Sequence, residues 1–85
     1  MNGSQIAQAA KEQIAELTGF RANAVSALSH DESGWHASVD VVELKRIPAG
    51  TDVLGTYEVL LDEAGNLLSY KRVRRYYRGA VEETS

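Results

Sequence analysis

The sequence contains no cysteine. That excludes a disulfide scaffold, a thiol nucleophile and cysteine-ligated zinc, and it fits a reducing compartment. No run approaches the roughly 20 consecutive apolar residues that a membrane span needs. The N-terminal stretch MNGSQIAQAAKEQ lacks the basic and apolar regions of a signal peptide, so the expected location is cytoplasmic, with no membrane as partner. The Asn2-Gly3-Ser4 triplet fits a glycosylation pattern, which means little without a secretory signal. Glycine loops of the GxxxxGK[ST] or GxGxxG type and a GxSxG nucleophile elbow are missing too. The carboxylate pairs Asp31/Glu32 and Asp62/Glu63 sit in turn-like stretches, where acids are solvated turn formers. His30 and His36 flank the first of these, and a six-residue spacing across a hairpin does not by itself converge on a metal. The expectation is a protein that is not an enzyme and that needs no cofactor or metal.

The chain's 85 residues are enough for one small domain. An apolar content of 44 % and a charged content of 25 % are ordinary for a globular protein, so a folded core is expected. Ser4 can cap a helix whose apolar stripe is Ile6, Ala9, Ala10, Ile14 and Leu17, and Gly19 suits its left-handed terminus. One amphipathic helix is predicted over residues 4–18. The remainder reads as strands. A weak alternation spans 24–29, and the pattern leaves open whether it pairs. Trp35, Ala37, Val39 and Val41 alternate with polar residues in a strand over 35–47, with a bulge suggested where Val41 meets Val42. The only proline, Pro48, ends it. Strands over 53–61 and 67–78 flank the hairpin loop Asp62–Asn66, and the tail 79–85 is expected to fray. The fold class is α+β: one N-terminal amphipathic helix packed across an antiparallel sheet of three to four strands.

Residues 67–78, LLSYKRVRRYYR, hold five of the nine basic residues and three of the four tyrosines, with no acid. Strict alternation assigns Val53, Tyr57, Val59, Leu61, Leu67 and Val73 to the core face, with Trp35 anchoring it. The opposite face then carries Leu44, Leu54, Leu60, Leu68, Tyr70, Arg72, Arg74, Tyr76 and Arg78, while Lys71 and Arg75 fall at the periphery of the core side. Leucine, tyrosine and arginine together are the composition of a protein interface. These nine residues are the candidate partner-binding set. Two other roles compete for the cations. They can protect a terminal strand from edge pairing and make cross-strand pairs with Glu58 and Glu43. Arginines beside tyrosines can also bind single-stranded nucleic acid. A sequence pI of about 5.3 and the lack of an RNP-like motif argue against the latter. A homodimer through the strand edge or leucine face is a further alternative.

The block from Gly34-Trp35 through Tyr76 resembles the gas vesicle protein O family. The likeness is carried by Val41-Val42-Glu43-Leu44-Lys45-Arg46-Ile47-Pro48, Asp52-Val53-Leu54, Tyr57-Glu58-Val59, the Asp62…Gly65 turn and Tyr70-Lys71-Arg72-Val73-Arg74-Arg75-Tyr76. It covers about half the chain strongly and the helix only in general pattern. The resemblance implies a non-catalytic accessory protein required for assembly of gas vesicles, the gas-filled, protein-walled buoyancy organelles. It would associate with the vesicle and contact other gas vesicle accessory or shell proteins. A regulatory role is also associated with the family, and joined to the chemistry of the Tyr/Arg strand it gives the alternative, a nucleic-acid-binding regulator of gas vesicle gene expression. Many family members carry a long acidic or low-complexity N-terminal extension; here the helix begins almost at once, so nothing of that extension's role is carried over. The family offers no catalytic residues to transfer.

Overall fold

In the computed structural model, residues 2–44 and 52–77 are described. The helix α1 spans Gly3–Thr18. Its N-cap is Asn2 rather than Ser4, which lies in the first turn. The Asn2 side chain accepts the Gln5 N–H at 2.9 Å and the Gln5 side chain accepts the Asn2 N–H at 2.9 Å, a reciprocal capping box. Gly19, at φ 76°, closes the helix in the left-handed conformation expected of it. Ile6, Ala10 and Ile14 are buried. The predicted stripe ends there, because Leu17 is 54 % exposed.

Four strands follow: β1 Arg21–Asp31, β2 Gly34–Leu44, β3 Val53–Leu61 and β4 Leu67–Tyr77. They form one antiparallel sheet in sequence order, β1-β2-β3-β4. The segment expected at 24–29 is thus a full paired edge strand. Residues 45–47, Pro48, Arg78 and the tail lie outside the described residues. The helix lies over β1 and β2, touches β3 and meets β4 at its first residue, Leu67.

The register departs from strict alternation at five places: Asn23 and Ser26 in β1, Glu43 in β2, and Leu68 and Val73 in β4 each stand as an extra residue against the neighbouring strand. Each such bulge reverses the parity of the residues beyond it. Side chains directly opposite one another share a face. On the helix side the cross-strand rows are therefore His30–Trp35–Leu61–Leu67, Leu28–Ala37–Val59–Tyr70, Val25–Val39–Tyr57–Arg72 and Ala22–Val41–Gly55–Arg75. On the other side they are Ser29–His36–Leu60–Ser69, Ala27–Ser38–Glu58–Lys71, Ala24–Asp40–Thr56–Arg74 and Arg21–Val42–Leu54–Tyr76.

Leu61 faces Leu67, as the hairpin reading required, but the division of β4 changes. The Leu68 bulge brings Tyr70 and Arg72 to the helix side, and the second bulge sends Arg74 and Tyr76 to the other. Val73, assigned to the core by strict alternation, is an exposed bulge residue. The Glu43 bulge likewise moves Leu44 to the helix side, opposite Val53.

The core is Ile6, Ala10 and Ile14 of the helix against Ala37, Val39, Val41, Tyr57, Val59 and Leu61, with Trp35 partly buried at its margin. One side chain on the helix fixes the far hairpin. Gln13 donates from Nε2 to the Gly65 carbonyl at 2.7 Å, and its Oε1 accepts the Leu67 N–H at 2.9 Å. The β3–β4 turn itself is closed by Asp62, whose Oδ1 accepts the N–H groups of Ala64 and Asn66 at 2.9 Å.

Candidate interaction surface at the β4 edge

Past Leu67, which packs against the core, the helix-side residues of β4 lie at the sheet's edge. Arg72 and Arg75 are two of these, and both reach back to one carboxylate. Arg72 Nη1 donates to the two Glu43 carboxylate oxygens at 2.9 and 3.2 Å, and Arg75 Nε lies 3.2 Å from Oε1. The Glu43 side chain is only 4 % exposed, whereas those of Arg72 and Arg75 are 45 % and 58 % exposed. The carboxylate fits because Gly55 provides its floor. A Cβ at position 55 would overlap the carboxylate and stand 2.8 Å from Glu43 Cδ. Glycine inside a strand signals this kind of close approach. That was the available signal for the site, together with the break in alternation beside Glu43.

Tyr57 lies beside the cluster. Burial pushes its hydroxyl pKa up, the Glu43 charge adds to the rise, and Arg72 opposes it. Tyr57 therefore stays a neutral phenol across the ordinary pH range. Tyr70 packs next to it, with ring centroids 6.1 Å apart and planes tilted by 42°. The cluster holds two guanidinium groups against one carboxylate, so it retains excess positive charge on a half-exposed surface.

Lys71, Arg74 and Tyr76 occupy the opposite side of β4. The Arg74 guanidinium stands 4.3 Å over the Tyr76 ring centroid, a cation–π contact that fixes both groups. Among the described residues, neither Lys71 nor Arg74 forms an ion pair. Beside them the uncovered sheet face forms a shallow concavity of about 730 Å³, lined by Ala27, His36, Ser38, Glu58, Leu60 and Lys71. Asp40 and Thr56 hydrogen-bond across this face at 2.7 Å.

The four leucines of the candidate set do not form one patch. Leu54 is 4 % exposed, flanked in register by Val42 and Tyr76, and so is not displayed. Leu60 is half-buried on the concave face. Leu68 is 55 % exposed at the turn end of β4. Leu44 is 50 % exposed but pairs with Val53 at the other end of the sheet, about 26 Å away by strand rise. Arg78 lies outside the described residues.

The histidines are placed separately, near the turn end. His30 Nε2 is 2.7 Å from Glu63 Oε2, and its ring packs 4.5 Å from that of Trp35. His36 Nε2 is 3.0 Å from the Asp31 carboxylate. Asp31 is held below the usual carboxylate pKa, first by the Ser33 N–H and then by His36. Among the described residues no three metal-ligating side chains gather, and no helix is long and apolar enough to cross a membrane.

Comparison with known proteins places the chain in a family. The chain matches the family described as "Gas vesicle synthesis protein GvpO" over residues 1–82. It is 47 % identical over 80 residues to "Gas vesicle protein O" of Streptomyces sp. (strain CB03234), covering 94 % of this chain and 62 % of that protein. Identity to "Gas vesicle protein O1" of Halobacterium salinarum is 41 % over 59 residues, covering 69 % of this chain and 49 % of the relative. Identity to "Gas vesicle protein O" of Haloferax mediterranei is 31 % over 75 residues, covering 87 % of this chain and 54 % of the relative. The chain therefore spans about half to three fifths of the length of the curated relatives it matches. No solved structure matches it. With the family matching nearly the whole chain, and Glu43, Gly55, Arg72 and Arg75 within the matched residues, the chain belongs to the gas vesicle synthesis protein GvpO family.

Proposed function

We infer that this protein is a non-catalytic accessory factor of gas vesicle formation that acts by binding another gas vesicle protein through the β4 edge. The names of its relatives support the cellular role. The binding mode rests on one observation: β4 is an edge strand that carries Lys71, Arg72, Arg74 and Arg75 with Tyr70 and Tyr76, and no acid. Arg72 and Arg75 compensate the covered Glu43 carboxylate, but Lys71 and Arg74 form no ion pair among the described residues, so stability does not account for all four cations. Arginine with tyrosine is the pairing that protein interfaces favour. Leu68 and the half-buried Leu60 add apolar area beside the strand.

The decisive variant is Lys71→Glu with Arg74→Glu, since neither residue forms an ion pair among the described residues. Replacing Arg72 instead would disturb Glu43 and mix folding with binding. In cells assembling vesicles, crosslinking with mass spectrometry should capture a gas vesicle protein on β4 in the native chain, and the double variant should lose that crosslink and vesicle formation. Its circular dichroism spectrum should not change, and its stability should fall by no more than about 1 kcal/mol, the worth of the exposed Arg74–Tyr76 contact. Normal crosslinking and normal vesicles from the double variant would refute the assignment.

A further inference from the structure

We propose that β4 takes up an extended acidic segment of a partner protein as a fifth strand, with carboxylates at consecutive rather than alternate positions. This rests on the protein-binding reading above and adds the chemistry and geometry of the bound segment. Among the described residues β4 pairs with β3 alone, so its outer edge offers backbone groups to an added strand.

The bulges determine which strand fits. Lys71 and Arg74 lie on the uncovered side of the sheet, and Arg72 and Arg75 on the helix side. An added strand also alternates between faces, so it meets a cation on both sides. A usual half-buried strand, acidic on one side and apolar on the other, leaves two cations facing apolar groups. Carboxylates at successive positions answer all four. Tyr70 and Tyr76 bracket this stretch, one on each face, and give the ends of such a segment aromatic surface to pack on.

Room exists on both faces. The helix meets β4 at its turn end, Leu67, and farther along the strand Arg72 and Arg75 remain about half exposed despite sharing Glu43. A second copy of β4 does not suit the same edge, since it would oppose cations to cations on both faces. Cations and bulges on an edge strand ordinarily exclude neutral or like-charged strands. An acidic segment is the one class they do not repel. The Val73 bulge interrupts regular pairing and limits the added strand to a short piece. Single-stranded nucleic acid shares the negative charge but lacks the amide ladder, and it makes a competing outcome.

The test uses the full chain, labelled with nitrogen-15, titrated with synthetic peptides of about eight residues, a common strand length. One carries four consecutive carboxylates flanked by threonine. A second has the same composition with carboxylates at alternate positions. A third is the first peptide N-methylated at alternate backbone nitrogens, which keeps its charge and removes its donors. The consecutive peptide should bind about tenfold tighter than each of the others, the worth of one or two net hydrogen bonds or charge contacts. New amide protection should appear in Ser69–Tyr77 and not in β1. Equal binding of the N-methylated peptide would overturn strand addition while leaving the protein-binding reading intact. Equal binding of the alternating peptide would overturn the consecutive pattern. No binding, protection confined to β1, or tighter binding of an oligothymidylate of equal charge would overturn the proposal altogether. The Lys71→Glu, Arg74→Glu crosslinking result judges the underlying reading independently.

Discussion

Glu43 and its two arginines are unequally buried, and this predicts unequal costs of removing one side or the other. The carboxylate side chain is 4 % exposed; the arginines are about half exposed. Replacing Glu43 by Gln removes the negative charge but leaves guanidinium groups that can rehydrate where they stand. The loss is then limited to the charge-assisted part of bonds that solvent already screens, about 1 kcal/mol. Replacing both Arg72 and Arg75 by Ala leaves a carboxylate under cover with none of its described donors. An uncompensated buried charge costs about 3–5 kcal/mol, and partial screening at this edge places the cost near the lower end, about 3 kcal/mol. For a chain of this size, with total stability on the order of 4–13 kcal/mol, that is a large share.

Trp35 is the single tryptophan and sits at the core margin, so its fluorescence reports urea unfolding of each variant. The order expected is wild type, then Glu43→Gln, then the double arginine variant, with similar denaturant slopes. Adding Glu43→Ala to the double variant removes the stranded charge and should recover about half of the loss. If Glu43→Gln costs as much as the double variant, or if the triple variant is the least stable, the carboxylate is not the desolvated partner.

Gly55→Ala should destabilise by about 1–3 kcal/mol, the usual cost of overpacking, and the penalty should shrink when Glu43 is also Ala; a penalty independent of residue 43 counts against the floor role. Gln13→Ala leaves the Gly65 carbonyl and Leu67 N–H without this partner and should cost about 1–3 kcal/mol, with hydrogen exchange at Leu67 accelerating more than in β2. Leu17→Gln should change stability by no more than about 0.5 kcal/mol, because the side chain is already 54 % exposed; a loss above 1 kcal/mol, roughly the average for point variants, would place it in the core. Asp31 and Asp62 are both held below the ordinary carboxylate pKa, chiefly by the N–H groups of Ser33 and Asn66. Their stabilisation is present above about pH 4, the unfolded value, and is lost as pH falls through the lower folded values. Asp62→Ala should flatten the acid limb of a stability-against-pH curve, and an unchanged limb would remove the turn carboxylate from the account.

Most of the architecture was legible from short-range signals. The helix follows from Ile6, Ala10 and Ile14 at three-to-four spacing and from Gly19, and the β3–β4 hairpin from its Asp62–Asn66 loop. Two readings failed for identifiable reasons. Ser4 is as good a cap as Asn2 by residue type, but only Asn2 has Gln5 three positions on to complete the box. Leu17 completes a helical stripe, yet exposure there depends on how far the helix extends over the sheet, which no periodicity encodes. The pairing of β1 was illegible because its two bulges scramble the alternation that marks a strand.

The candidate site shows the same limit more sharply. Residue types single out the Lys/Arg/Tyr strand, but period-two counting misplaces Tyr70, Lys71 and Arg72, which lie between its two bulges, while Arg74 and Tyr76 keep the face it assigns. A single extra residue inverts every assignment beyond it. Leu68 and Val73 are apolar and β-compatible, and nothing in their chemistry announces a bulge. The inversion changes the chemistry. With strict alternation, Tyr70, Arg72, Arg74 and Tyr76 form one cationic face, suited to a flat partner laid against the sheet. With the bulges, those side chains divide between two faces, and only a ligand in line with the strand can reach both. The arrangement of Arg72 and Arg75 around Glu43, above a residue that must be glycine to admit it, secures one half of that division. The cation–π contact of Arg74 with Tyr76 secures the other. Each half is held by its own contacts, so a partner that engages only one face leaves the other's cations unanswered.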